Sequence, residues 1–246
     1  MKKDLIAFES PKAPISEAIR LLRTNISHII NNTGTKVFMV TSSAPGDGKS
    51  WLTANLAISF SQLNQKVLII DTDFRKGRQN KIFGIKNQDG FSNYLTEIYG
   101  MRKGGIEHEN ILKKIVKTEV PKLYLLPTGV VPPNPSELLE VCDVFGILTT
   151  LRQYFDVIFV DVPPISIVAD GLILANQVDY TILVAAAGKT KKKMIVDAKR
   201  AIESVNGKIA GVVLNQVPQD RRKDYNTYYS HYSQLQEVKS KKINKK

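Results

Sequence analysis

SSAPGDGKS occupies residues 42–50, and its flanks decide how it is read. Upstream, KVFMVTS (36–42) is a run of β-branched and apolar residues, and downstream SWLTANLAISFSQL (50–63) reads as a helix. The order strand, glycine loop, helix is that of a phosphate-gripping loop. There, successive backbone N–H groups point at phosphate oxygens, a lysine neutralises the outer phosphates, and the following hydroxyl binds Mg²⁺. Gly46, Gly48, Lys49 and Ser50 supply those parts, and Ala44, Pro45, Asp47 and Trp51 complete the expected nucleotide contacts. Ser43 stands where the pattern has its first glycine, so the loop alone also admits an ordinary turn before a helix.

The alternation continues beyond the loop. Apolar strands are expected at 66–71, 122–129, 156–161, 179–187 and 208–216, separated by amphipathic or polar stretches. Nearly continuous apolar strands imply burial on both faces, so the expected fold is α/β: a mostly parallel central sheet with helices on both faces. VLIIDTDFR places Asp71 and Asp73 at the end of one strand, and VIFVDVPP places Asp161 at the end of another. Carboxylates at the carboxyl ends of parallel strands converge on the crevice where ligands bind in such sheets. Three gathered acids repel one another unless a cation compensates, and Mg²⁺ carried in with a nucleotide resolves the conflict. Asp71, Asp73, Asp161 and Ser50 are therefore the candidate metal ligands.

Ile15, Ile19, Leu22, Ile26 and Ile29 recur at helical spacing after Pro14, which predicts an amphipathic helix over about 14–31. In NPSELL, Asn134 suits a helix cap, Pro135 the first helical position and Glu137 the capping box. The weakly periodic, charged stretch from about 96 to 120 is expected to be a surface excursion. After Pro218 no sustained apolar pattern remains, so the division is one domain over 1–218 and a flexible tail over 219–246.

Composition sets outer bounds. The chain has 246 residues, 43% of them hydrophobic, enough for one substantial core. No apolar run approaches the roughly 18 residues of a membrane span, and the start MKKDLIAFESPK lacks the apolar stretch of a signal peptide, so a cytoplasmic protein is expected. The single cysteine, Cys142, cannot close a disulfide within the chain, and His28, His108 and His231 lack metal-ligand spacing. A formal net charge of +12 favours an acidic partner without choosing among nucleic acid, anionic lipid and protein.

Taken in order, EAIRLLR (17–23), APGDGKS, VLIIDTDFR, VPPNPSELL (131–139), VIFVDVPP, GVVLNQV (211–217) and a terminal tyrosine cluster resemble the bacterial tyrosine kinases of capsule and exopolysaccharide synthesis, in their cytoplasmic Gram-positive form. The resemblance covers nearly the whole chain. It implies a fold related to deviant P-loop ATPases, with autophosphorylation on tyrosine from Mg·ATP. By matching position, Lys49 would hold the β- and γ-phosphates, Ser50 would ligate Mg²⁺, and Asp73 and Asp161 would hold the metal directly or through water. Asp71 would accept the tyrosine proton while also near the metal, and Asn215 would read the adenine edge. Glu17, Arg20 and Arg23 match an E-x-x-R-x-x-R assembly motif. Two positions depart from the pattern: Trp51 replaces a threonine whose hydroxyl reaches the α-phosphate, and Gly77 replaces a common proline.

Tyr225, Tyr228, Tyr229 and Tyr232 sit among Asn, Thr, Ser and His, which suits exposed phosphate acceptors better than a buried cluster. Residues 219–246 hold eight Lys or Arg against three Asp or Glu, a local +5. Phosphate on all four tyrosines would add roughly −6 to −8 and reverse that sign. Trans-phosphorylation within a ring or cluster, followed by release, is the expected cycle. The expected partners are a second copy of the chain, a transmembrane adaptor of the polysaccharide co-polymerase type, and a cognate tyrosine phosphatase. With them the kinase would sit at the inner face of the membrane, without specific nucleic acid. Two rivals share parts of this pattern. A partition or division-site ATPase would carry a lysine five residues before Lys49, where this chain has Ala44; a nucleotide-gated nucleic-acid binder would not need the tyrosine cluster.

Overall fold

The computed structural model describes residues 4–30, 34–99 and 108–218, with the side chain of Ile30 set aside. Its strands are β1 (Lys36–Ser42), β2 (Val67–Asp71), β3 (Val116–Lys117), β4 (Leu123–Leu126), β5 (Val157–Asp161), β6 (Tyr180–Ala186) and β7 (Ile209–Asn215). They form one seven-stranded sheet in the order β3-β4-β2-β5-β1-β6-β7. All neighbours pair in parallel except β3 with β4, an antiparallel addition at one edge.

The helices are α1 (Ile6–Glu9), α2 (Pro14–Ile30), α3 (Lys49–Ser61), α4 (Gln79–Phe83), α5 (Phe91–Tyr99), α6 (Pro135–Val141), α7 (Val144–Leu151), α8 (Asp170–Ala175) and α9 (Lys192–Ser204). They divide between the two faces of the sheet. Ile19 and Ile26 of α2, Leu56 and Phe60 of α3 and Ile82 of α4 pack on Phe38, Val40, Ile69 and Phe159. Leu95, Leu139, Leu148, Leu174 and Ile202, from α5 to α9, pack on Val37, Met39, Leu68 and Ile158. Both faces of the central strands are thereby covered, which is why those strands carry no polar alternation.

Local signals held closely. The helix expected over 14–31 runs from Pro14 to Ile30, and Pro135 opens α6. The capping box at α6 is not reciprocal, however: Asn134 Nδ2 donates to Glu137 Oε2 at 2.9 Å rather than either side chain capping the backbone. The strand expected over 122–129 stops at Leu126, because the Pro127 and Thr128 carbonyls turn to accept the Phe91 and Ser92 N–H groups that open α5.

The stretch 96–120 is more than a surface excursion. It contains the end of α5, a 3₁₀ turn over His108–Lys114 and β3, and Ile111 is fully buried. His108 anchors the turn through its Nδ1, 2.9 Å from the Tyr94 hydroxyl. The absence of helical periodicity reflects a turn too short to show one; residues 100–107 lie outside the described part.

Cys142 packs against the α5–α9 side of the core with its Sγ 3.5 Å from the Leu95 carbonyl, and burial pushes the thiol up to about 11. Among the described residues no helix is long and apolar enough to cross a membrane.

Side chains of α3 and its C-cap tie the segment around α1 in place: Gln62 Nε2 donates to Ala7 O at 2.9 Å, and Asn55 makes three bonds. Asn55 Oδ1 accepts from Ala7 N at 2.9 Å, and its Nδ2 donates to Asp4 O and Trp51 O at 2.7 and 2.9 Å. Replacing it with Leu strands these backbone groups, so Asn55→Leu is expected to lower unfolding free energy by about 2 kcal/mol in urea titrations. A change within error would show that α1 is not docked through this residue.

Candidate active site

The loop between β1 and α3 owes its shape to two left-handed glycines, Gly46 at φ 84° and Gly48 at φ 90°. Gly48 is also pressed from outside: an added Cβ would stand 2.2 Å from Asn215 Nδ2. Ser43 is not among the positive-φ residues, so the place of the missing first glycine is one that any residue can adopt.

Asp47, almost fully buried, ties the loop together. Its Oδ2 accepts from Ala44 N at 3.0 Å and its Oδ1 from the Thr190 hydroxyl at 2.7 Å. The end of β7 grips the loop from the other side. Asn215 Nδ2 donates to Asp47 O at 2.9 Å, and Gln216 Nε2 donates to Gly46 O at 2.7 Å.

Strand register assembles the acids. Asp71 and Asp161 are direct partners across the parallel pair β2–β5, so their side chains leave the same face of the sheet, the one covered by α3. Lys49, the first residue of α3, reaches between the strand ends. Its Nζ lies 3.0 Å from Asp73 Oδ2, 3.3 Å from Asp161 Oδ1 and 3.3 Å from Ser50 Oγ. Asp71 faces backbone donors instead: Oδ1 accepts from Asp73 N at 3.2 Å and Oδ2 from Gln79 N at 3.0 Å.

Burial alone would lower the Lys49 ammonium, but Asp161 and Asp73 outweigh it and the net shift is upward. Asp71 behaves in the opposite sense for a carboxylate. Burial first, and the negative charge of Asp161 second, push it up to about 8 against the opposing pull of the Gln79 N–H and Lys49.

The cluster opens onto a cavity of about 400 Å³ bounded by the glycine loop, Trp51, the Arg75–Arg78 segment and the Pro163–Val168 segment. Trp51 packs against the α2–α3 side of the core and contributes to the wall, where a threonine would have offered a hydroxyl.

Among the described residues no three acids, histidines or cysteines could hold a metal ion by themselves. That suits Mg²⁺, which keeps several waters and is bound through one or two carboxylates plus substrate phosphates. Ser50 Oγ, Asp73 and Asp161 form such a partial set of oxygen donors, whereas Asp71 is turned toward backbone N–H groups. The donor chemistry and the glycine cradle therefore fit a magnesium nucleotide.

The structure thus brings together Lys49, Ser50, Asp71, Asp73 and Asp161 with the loop 44–51, and sets Asn215 on the loop's outer edge. Glu17, Arg20 and Arg23 lie apart on α2 and are engaged within the chain: Arg20 pairs with Glu17, and Arg23 Nη1 donates to Ser59 O at 2.7 Å. Tyr225, Tyr228, Tyr229 and Tyr232 fall outside the described residues.

Sequence reasoning missed Gln79, Thr190 and the pair Arg75–Asp170, in which a buried aspartate of α8 holds the segment that follows Asp73. Gln79 and Thr190 carry no chemical flag of their own, and Asp170 meets Arg75 from 95 residues away.

A titration follows from Asp71. Its value in the folded chain lies above the ordinary carboxylate range, so the folded form binds the proton more tightly. Its contribution to stability is complete below about pH 4 and is lost as pH rises toward about 8. In urea unfolding of the nucleotide-free chain in EDTA, Asp71→Asn is expected to flatten the decline between pH 5 and 8. An unchanged slope would place the proton elsewhere.

Residues 35–209 match the AAA domain family. The chain is 36% identical over 225 residues to the putative tyrosine-protein kinase CapB of Staphylococcus aureus, covering 92% of this chain and 94% of that one. It is 34% identical over 228 residues to the tyrosine-protein kinase YwqD of Bacillus subtilis, covering 93% and 92%. The solved kinase domain of the Escherichia coli tyrosine kinase ETK superposes with a TM-score of 0.79 at 30% identity, over 87% of this chain and 80% of that one. A phosphate-gripping loop facing strand-end acids, on a chain that aligns with these kinases over nearly its full length, makes this protein a member of the bacterial tyrosine kinases.

Proposed function

We propose that this chain transfers the γ-phosphoryl group of ATP, with Mg²⁺, to the tyrosines of its own C-terminal cluster, Tyr225, Tyr228, Tyr229 and Tyr232. Transfer runs between copies of the chain, and the kinase serves capsular or exopolysaccharide synthesis together with a transmembrane adaptor. The observation that carries this reading is the Lys49 ammonium, held within 3.3 Å of Asp73, Asp161 and Ser50 at the floor of the cavity.

Phosphoryl transfer asks a protein mainly for positioning and charge neutralisation. The backbone N–H groups of residues 46–51 and Lys49 bind and orient the triphosphate. Ser50, Asp73 and Asp161 would hold Mg²⁺, which when bound neutralises charge on the phosphate oxygens. The bond that forms joins the tyrosine oxygen to the terminal phosphorus, the bond that breaks releases ADP, and the phenolic proton passes to Asp71. In its ionised form a carboxylate raised to about 8 suits that task, because its proton affinity approaches that of the phenol it relieves. Asn215, at the end of β7 beside the loop, is where an adenine edge would be read, and Glu17, Arg20 and Arg23 are the residues of α2 that would meet a neighbouring copy. A cognate phosphatase would reset the tail.

The names of the relatives support the kinase reading, and the basic tail with its tyrosines supports the site of modification. Mass spectrometry of tail peptides after co-expression with the adaptor tests the proposal directly. Wild type is expected to carry phosphate on the cluster, and Lys49→Met to lose at least about 100-fold of it. ATP hydrolysis with a tail that never gains phosphate would favour the partition-type ATPase instead. The charge reversal makes a further expectation: sedimentation should show phosphorylated protein in smaller assemblies than the phosphatase-treated form, and identical assemblies would remove the switch.

A further inference from the structure

One buried side chain belongs to the acid cluster without having been counted in it. Gln79 opens α4, is fully buried, and bonds to Asp71, Asp161 and Ser50. Its backbone N–H donates to Asp71 Oδ2 at 3.0 Å. Its Nε2 donates to Asp161 Oδ2 at 2.8 Å and to Ser50 O at 2.9 Å. Both of these partners are acceptors, so the amide can stand only one way round, with its NH₂ toward them. Its carbonyl oxygen is then turned away, buried, and without a hydrogen-bond partner among the described residues.

An amide whose nitrogen is doubly used and whose oxygen is stranded is expensive to bury unless something completes it. The groups its nitrogen holds belong to the residues that would bind the metal: Asp161, whose Oδ1 faces Lys49, and Ser50, whose hydroxyl lies 3.3 Å from the same ammonium. Outer partners of this kind orient the ligating oxygens and tune the affinity for the ion.

We infer that Gln79 is a positioning residue for magnesium. Its amide nitrogen fixes the Asp161 carboxylate and the first turn of α3, so that the oxygens that would meet the ion are held in place. This rests on the reading of the site as a Mg·nucleotide site. An amide, and not a carboxylate, is required at this position, because the Glu carboxylate would add a further negative charge beside Asp71 and Asp161 and could not donate to Asp161 or to Ser50 O.

The experiment is isothermal titration of the purified full chain with ADP, in EDTA and in excess Mg²⁺, for wild type, Gln79→Ala, Gln79→Met and Lys49→Met. The quantity read is the ratio of the two affinities. That ratio is expected to fall about tenfold in Gln79→Ala and in Gln79→Met, which fills the same volume without the amide. A ratio that stays within about twofold of wild type, including the case where both affinities drop together as a merely structural residue would make them, overturns the inference. If Gln79→Ala fails to fold, as a melt without nucleotide would reveal, the Met variant carries the decision. A wild-type chain that binds ADP no better with Mg²⁺ than without, and no better than Lys49→Met, overturns the underlying site reading and this inference with it. The two failures are thus told apart by the wild-type and Lys49→Met titrations.

Discussion

A buried ammonium between two strand-end carboxylates organises this protein. Burial of the Lys49 ammonium beneath the loop is offset by Asp73 and Asp161, and the two carboxylates in turn have a cation beside them where water is excluded. Each element must therefore be in place for the others to be tolerated: β5 must end level with β2, α3 must begin beneath the loop, and Gly48 must turn the chain so that Lys49 points inward. The same arrangement is poised for exchange. In the proposed function, a triphosphate and its metal would bring both signs of charge into the cavity, so the lysine could turn from carboxylates to phosphates without any charge being stranded.

The loop is held by groups remote in the chain. Asp47 links it to Thr190 in the turn after β6, and Asn215 and Gln216 close on its carbonyls from the end of β7. Those two side chains lie three and two residues before Pro218, where the apolar pattern gives way to the basic, tyrosine-bearing segment. The residues that seat the phosphate-gripping loop are thus directly continuous with the segment proposed to receive the phosphate. Gly48 has a second role here, because its missing Cβ is the space that Asn215 occupies.

Much of this was legible beforehand for specific physical reasons. Continuous apolar strands announce burial on both faces, Gly46, Gly48, Lys49 and Ser50 between a strand and a helix announce a phosphate-gripping loop, and an aspartate closing an apolar strand announces the ligand-binding edge. The misses are equally physical. The stretch 96–120 conceals a buried Ile111 because a short 3₁₀ turn has no repeating face, and β4 stops early because two carbonyls are needed to cap α5. Gln79 passed unnoticed because glutamine reacts with nothing; its importance lies wholly in what surrounds it.

By itself, the sequence determined the class of fold, the order of its strands and loops along the chain, and the identity of the lysine, hydroxyl and acids, since periodicity and residue chemistry are local properties. Strand ends already implied that the acids gather; the face they share and the partners each one takes were decided only in three dimensions. The β2–β5 register sets Asp71 opposite Asp161 and aims both under α3, yet strands buried on both faces carry no alternation from which that side could be read. The division of labour among the acids has the same origin: Asp73 and Asp161 take the lysine, while burial and the charge of Asp161 raise the proton affinity of Asp71.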